Sequence, residues 1–314
     1  MIDFRYHLVS IISVFLALAV GIVLGAGPLQ ANLGDQLGDQ VAALRTEKQA
    51  LNDKLTTSEK AVDATAQYAE AVQQRVVSGR LASHRVVVVV LPSADGTMVT
   101  NLEEVVRQSG AVLTGTVTVS PDWFDASQAS DRAEAARSAA ATLGLSTSAT
   151  GDDLLVEVVT ALTVGVTASG TSAQRTAAVK VLADAGLIDS SAAELTVADL
   201  AVVVSGDYAG TEEAVGARSD TVRALVTALA GASRGAVVAG GETLAAAGQP
   251  VTSNAVQAVR EKSETAALVA TVDHARAGAG PATVVLALED VLDERVAHYG
   301  ISAGATATVP RVLP

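Results

Sequence analysis

Apolar residues follow three successive patterns along the chain. From Leu8 to Gly27 the run LVSIISVFLALAVGIVLGAG carries no charged residue. At about 1.5 Å per residue it spans about 30 Å, the thickness of a bilayer's hydrocarbon core. It has no polar face to turn toward water, as a soluble helix would. It is also longer than the apolar region of about 7–15 residues in a secretory signal, and Pro28 follows the small residues Gly25-Ala26-Gly27 where cleavage would fall. The run therefore reads as a retained membrane anchor. Arg5 precedes it, Asp35 and Asp39 follow it, and the next cation is Arg45; the positive-inside rule then puts the N-terminus in the cytoplasm and the bulk outside. Ala17, Gly21 and Gly25 recur every four residues, a ridge along which two membrane helices approach closely.

The second pattern is a heptad. Leu37, Val41, Leu44, Lys48, Leu51, Leu55, Ser58, Val62, Thr65, Ala69, Val72 and Val76 alternate spacings of four and three, and nine of these twelve are apolar. No proline interrupts them, and Glu, Lys and Gln fill outer positions. So narrow a stripe predicts a coiled coil, with Leu37, Val41, Leu44, Leu51, Leu55, Val62, Val72 and Val76 as the seam of a parallel homodimer that the membrane ridge would reinforce. The competing reading is one amphipathic helix docked along its own domain. Gly79 is placed to end the helix.

After Gly79 the period changes. Arg85 to Leu91 reads RVVVVVL, closed by Pro92, Ser93, Asp95 and Gly96, a strand buried on both faces. Further strands are predicted at Ala111 to Val119, Leu200 to Val204, Gly235 to Ala239 and Ala267 to Val272. Helices are predicted at Met98 to Ser109, Asp131 to Leu143, Asp153 to Leu162, Ser172 to Ala185, Thr211 to Leu229 and Pro281 to Ala297. Strands alternating with helices of this length imply right-handed crossovers. The fold class is α/β: an N-terminal transmembrane helix, a long coiled-coil helix, then a doubly wound, mainly parallel sheet of Rossmann-like type. The expected divisions are 1–28 (cytoplasmic tip and anchor), 29–80 (rod) and 81–314 (extracytoplasmic α/β domain).

Composition narrows the function. Hydrophobic residues make up 49% but aromatics only 3%, so Ala, Val and Gly must fill the core. Twenty-one basic against thirty-four acidic residues leave a net charge of −13, the wrong sign for binding duplex nucleic acid. With no cysteine, disulfides, thiolate catalysis, iron–sulfur clusters and Cys-ligated zinc are all excluded. The loop after the first strand lacks the spaced glycines of a dinucleotide site, and neither GxxxxGK[ST] nor GxSxG occurs. Gly240-Gly241 and Gly278-Ala279-Gly280 read as turns, and Asp152-Asp153 as a helix N-cap. Ligands of open α/β sheets bind beyond the carboxyl ends of the strands. There the chain places Asp95, Asp207 with Tyr208, Glu242, and Asp273 with His274, a set that could bind a divalent cation or do acid–base work. The same residue types are ordinary in βα turns and caps. Copper would favour Cys, Met and His, yet the only such residues are Met1, Met98, His7, His84, His274 and His298, with no two histidines adjacent. His84 and His298 are expected at solvated edges.

The opening MIDFRYHLVSIISVFLALAVGIVLGAGPL resembles the N-terminus of the actinobacterial envelope family MctB, the mycobacterial copper transport protein, whose corynebacterial members are called SteB. The likeness continues through the heptads, the strand Val86 to Leu91 with Pro92, and a terminal helix ending at His298-Tyr299-Gly300. The family name implies copper efflux through an outer-membrane pore, with copper as cargo and no other cofactor. The family's other description implies a dimeric partner of a SteA-like membrane protein that controls a cell-wall hydrolase during daughter-cell separation. A pore needs tilted strands of about ten residues closed into a barrel, whereas the one lipid-compatible segment here is a helix offering only Ser10 and Ser13. The expectation is a non-enzymatic, single-pass inner-membrane scaffold or regulator. Copper transport is the alternative, and a metal-dependent enzyme at the sheet edge is the third reading.

Overall fold

A computed structural model describes residues 4–165, 169–192, 195–241, 251–276 and 278–311, with backbone alone within 26–36. It divides into two compact units, Met1–Ala64 and Thr65–Pro314. The first is wholly helical where described and belongs to α1 (Phe4–Val77). Within it Phe4–Gly25 is long and apolar enough to cross a membrane, and none of that segment is buried.

The second unit is α/β. After α1 the described elements run β1 (Arg85–Val90), α2 (Gly96–Gln108), β2 (Val112–Val119), α3 (Ala129–Leu143), α4 (Gly151–Thr163), α5 (Ser172–Asp184), β3 (Ile188–Ser190), β4 (Leu200–Ser205), β5 (Tyr208–Gly210), α6 (Glu212–Ala232), β6 (Ala236–Gly240), β7 (Val251–Ser253), α7 (Ala255–Arg260), α8 (Ser263–Ala266), β8 (Ala270–Val272), α9 (Gly280–Leu292) and β9 (His298–Tyr299). The seven-stranded sheet is ordered β3-β2-β1-β4-β6-β8-β9. All its pairings are parallel except that of β3 with β2. β5 and β7 form a separate antiparallel pair.

The valines of β1 explain the layering. Side chains alternate across a strand, so Val86, Val88 and Val90 enter one core with Met98 and Leu102 of α2, Val284 and Leu288 of α9, and Val77 and Leu81 at and beyond the end of α1. Val87 and Val89 enter the other, against Ala136 of α3, Leu155 and Val159 of α4, Leu182 of α5 and Leu225 of α6. Each face must be covered by helices because both are apolar. Asp199, just before β4, locks the strand starts: its carboxylate accepts the Arg85 amide at 2.5 Å and lies 2.7 Å from His84 Nδ1. His84 is therefore half-buried against the Asp199 carboxylate, not at a solvated edge.

Four expectations need correction. The segment Ala267 to Val272 is strand only from Ala270, because Ala267 caps α8 with its amide on Ser263 and Thr265 carbonyls. The last helix stops at Leu292 and not at Ala297. Glu294 takes a left-handed φ of 61° and the Arg295 amide turns back to the Asp290 carbonyl at 2.8 Å, which closes the helix. His298 and Tyr299 consequently form β9 instead of ending a helix. Asp152 does not cap α4, whose N-cap is Thr150; it pairs with Arg132 at 3.0 and 3.2 Å.

Leu155 is fully buried, and Leu155→Ala should lower unfolding stability by about 2–5 kcal/mol. Gly216 lies on α6 with nothing near a Cβ built there, so Gly216→Ala should add about 0.4–1 kcal/mol. Urea titrations of the full chain in detergent check both.

Candidate functional site

In an open α/β sheet the crevice forms where strand order reverses, here between the carboxyl ends of β1 and β4. In this chain the crevice is shut by backbone. Ser93 adopts a left-handed φ of 69°, and the β1 loop folds onto Gly206. A Cβ at Gly206 would stand 2.0 Å from the Ser93 carbonyl carbon and oxygen and 2.4 Å from the Ala94 nitrogen. Only glycine permits that approach.

The sequence-predicted acids take up caps and clamps around this closure. Asp95 is the N-cap of α2: its Oδ1 accepts the Thr97 amide at 2.8 Å and the Met98 amide at 3.2 Å. The Met98 and Thr97 amides hold its carboxyl below the usual carboxylate range, and the charge of Arg276 reinforces them. Asp207 Oδ1 accepts from Asn254 Nδ2 at 3.1 Å. Asn254, which sequence reasoning overlooked, is buried, caps α7 through the Gln257 amide and also donates to the Gly241 carbonyl. Its place ahead of the apolar run AVQAV was an available N-cap signal. Glu242 lies outside the described residues.

Asp273, just after β8, is 1% exposed. It accepts from Arg260 Nη1 at 2.7 Å, the Ile301 amide at 2.8 Å and the Ser302 amide at 2.9 Å. Burial pushes its carboxyl up, but the Arg260 hydrogen bond, the two amides and the Arg260 charge outweigh it and hold it down. Arg260 also donates to Thr271 Oγ1 at 2.8 Å and the Tyr299 carbonyl at 2.9 Å. Thr271 Oγ1 is 3.0 Å from His298 Nδ1. His298 is thus half-buried, against the expectation of a solvated edge. Burial pushes its imidazole down, the Arg260 charge adds to that, and the Ala266 carbonyl opposes it. His274 Nδ1 lies 3.8 Å from Asp273 Oδ1. Among the described residues, no three His, Asp or Glu side chains stand close enough to hold a metal ion. Met98 is packed in the apolar core.

A different residue dominates the neighbouring edge. Arg218, in the second turn of α6, lies between two rings, 4.6 Å from the centroid of Phe124 and 4.5 Å from that of Tyr208. Such contacts contribute about 0.5–2 kcal/mol each, depending on desolvation. Arg218 makes no ion pair among the described residues, and its Nε is buried without a hydrogen-bond partner. Burial pushes its guanidinium down, and the neighbouring Tyr208 phenol opposes that. The rings are themselves held. Trp123 is buried beside Phe124, Arg132 donates to the Asp122 and Asp125 carbonyls on either side, and the Tyr208 hydroxyl is 2.8 Å from Ser219 Oγ. The sequence pattern had no means of singling out one arginine of a long helix.

An apolar N-terminal segment, a long helix and a mostly parallel α/β unit define the class of architecture to which this chain belongs. Residues 1–310 match the family described as MctB, copper transport outer membrane protein. The chain is 29% identical to the copper transporter MctB of Mycobacterium tuberculosis over 97% of this chain and 98% of that relative. It is 31% identical to the copper transporter MctB of Mycobacterium leprae over 99% of this chain and 100% of that one. The chain belongs to the MctB family, whose relatives are named as transporters and not as enzymes.

Removing one partner of a buried pair strands the other's charge. Asp273→Asn should therefore cost about 3–5 kcal/mol, read as a fall in the denaturation midpoint. His298 titrates lower folded than its ordinary 6.5, so the unfolded chain binds its proton first and stability must fall as pH drops below about 6.5. Asp273, depressed below 3.8, adds a further loss only in stronger acid. His298→Gln should flatten the slope between pH 7 and 5 and leave the acid limb; denaturation at stepped pH measures both.

Proposed function

We propose that this chain works as a non-enzymatic, membrane-anchored homodimer that presents its α/β unit to a protein partner. The observation that carries this reading is the heptad stripe. Leu37, Val41, Leu44, Leu51, Leu55 and Val62 are 46–64% exposed along a helix with no other element in its unit. A row of large aliphatic side chains spaced for knobs-into-holes packing is stabilised by a second helix of the same kind, and a second copy supplies one.

The membrane ridge takes a different part from the one its spacing suggests. Gly21 and Leu37 are sixteen residues apart on α1, a rotation of about 160° at about 3.6 residues per turn. A dimer closed along the stripe turns Ala17, Gly21 and Gly25 away from its axis. The ridge is then available to another membrane helix, which fits the family resemblance to a regulator that works with a SteA-like membrane protein in cell-wall separation. Arg5 on the cytoplasmic side and the α/β unit outside complete the orientation we propose, in the plasma membrane.

Copper transport is the second reading, favoured by the printed names of the family and its relatives. Copper would be cargo, and the histidines available to it are His7, His84, His274 and His298. Two of these already face Asp199 and Thr271.

The chain has no cysteine, so Leu51→Cys introduces a unique one. Oxidation of that variant in membranes should give a disulfide-linked dimer, and Leu44→Asp with Leu51→Asp should give a monomer by light scattering in detergent. A wild-type chain that is monomeric by light scattering, with a Leu51→Cys variant that stays uncrosslinked, would refute the dimer. Titration of Cu(I) into the purified full chain tests the alternative, which requires stoichiometric uptake that His274→Ala weakens.

A further inference from the structure

We propose that Arg218 is a binding site for a peptide carboxylate, held ready by the Phe124 and Tyr208 rings. The inference deepens the reading of the α/β unit as a partner-recognition element. A guanidinium has two π faces and an in-plane edge of N–H donors. The guanidinium carbon stands over both rings, 4.6 and 4.5 Å from their centroids, and its Nε has no hydrogen-bond partner; an acceptor lying in the guanidinium plane would meet its donors edge-on. A carboxylate is planar and takes two parallel N–H donors. No second cation contacts Arg218 among the described residues, so a single negative charge matches the site better than a phosphate dianion.

Three features separate this arginine from a structural one. The buried Arg132 and Arg175 and the half-buried Arg260 are all satisfied, by Asp152 and carbonyls, by the Leu195 and Gly170 carbonyls, and by Asp273, Thr271 and Tyr299. Arg218 alone of this group keeps a buried Nε with no acceptor, in a chain with thirteen more acidic than basic residues. Among the described residues no carboxylate compensates the cost of taking this charge out of water, as expected where the counter-charge arrives from outside. The rings are also pre-positioned, through Ser219 on one side and through Trp123 and Arg132 on the other. Finally, the chain has only eight aromatic residues, and Trp123, Phe124 and Tyr208 are three of the four in the α/β portion after Gly79. That concentration sits beyond the carboxyl ends of β2 and β4, the edge where ligands of such sheets bind.

The test uses the full chain in detergent and the fluorescence of Trp123, its single tryptophan. N-acetyl-glutamic acid α-amide supplies a side-chain carboxylate and N-acetyl-alanyl-alanine a terminal one; the amide of the latter and inorganic phosphate are the controls. We expect a saturable change with one or both carboxylates and none with the neutral amide, and the tighter of the two tells a side-chain from a chain-end ligand. Arg218→Met, whose stem can fill the space between the rings, should abolish the response while melting at the same temperature or higher. Arg218→Lys, which keeps the charge but not the planar edge, should weaken it about tenfold. The proposal fails if neither carboxylate gives a saturable response, if phosphate alone does, or if Arg218→Met and Arg218→Lys respond as the wild type does. It also fails if Arg218→Met melts lower and the wild type ignores both carboxylates, which would make the arginine purely structural. The monomeric Leu44→Asp, Leu51→Asp variant should retain carboxylate binding, so the dimer and this site stand or fall separately.

Discussion

Five consecutive valines, Val86 to Val90, cannot be half-wet. Their side chains alternate between two faces, and all five are buried, so β1 must run through the middle of a layer covered on both sides. Burial of that strand dictates the arrangement of the α/β unit. α2 and α9 cover one side, and α3 to α7 the other. β2 and β4 take positions beside β1, and the reversal of strand order falls at the β1–β4 boundary. The dry core is built from small aliphatic side chains, so its helices approach the sheet closely and its loops must carry the polar chemistry.

Those loops use their carboxylates as fasteners. Asp95 holds the start of α2, Asp207 meets the cap residue of α7, and Asp273 gathers Arg260 and two amides of the segment that follows β9. An acid whose lone pairs already accept amides and a guanidinium has little left to offer a substrate or a metal ion. The backbone contact between Ser93 and Gly206 adds the same tendency at the place where a nucleotide would otherwise enter. Arg218 contrasts with this economy because its buried Nε finds no acceptor among the described residues.

The long helix obeys a separate constraint. A heptad stripe on one helix leaves apolar area in water unless a partner arrives, while the span before it is apolar all round and suits lipid. Both surfaces belong to α1, so their relative rotation follows from the residues between them. The family likeness extends from the apolar segment through the α/β unit, which indicates that apolar segment, long helix and α/β unit belong together as one working protein.

Elements governed by local period were legible in the chain. The valine run, the heptads, the apolar span and most helices announce themselves because a repeat of two or of about three and a half is a property of neighbouring residues. The short strands β3, β5, β7 and β9 were not legible. Two or three residues carry no period, and each exists only because a partner strand lies alongside. Nor was the fate of the acids: Asp273 looks the same in sequence whether Arg260 is near it or not. By itself the sequence determined that this chain carries an apolar segment long enough to cross a membrane, then an amphipathic helix and a sheet dry on both faces, since those follow from where apolar groups fall along a line. Tertiary structure alone decided which charges are matched and which has a donor without an acceptor among the described residues, because pairing depends on distances between residues such as Phe124, Tyr208 and Arg218 that the chain separates by up to ninety-four positions.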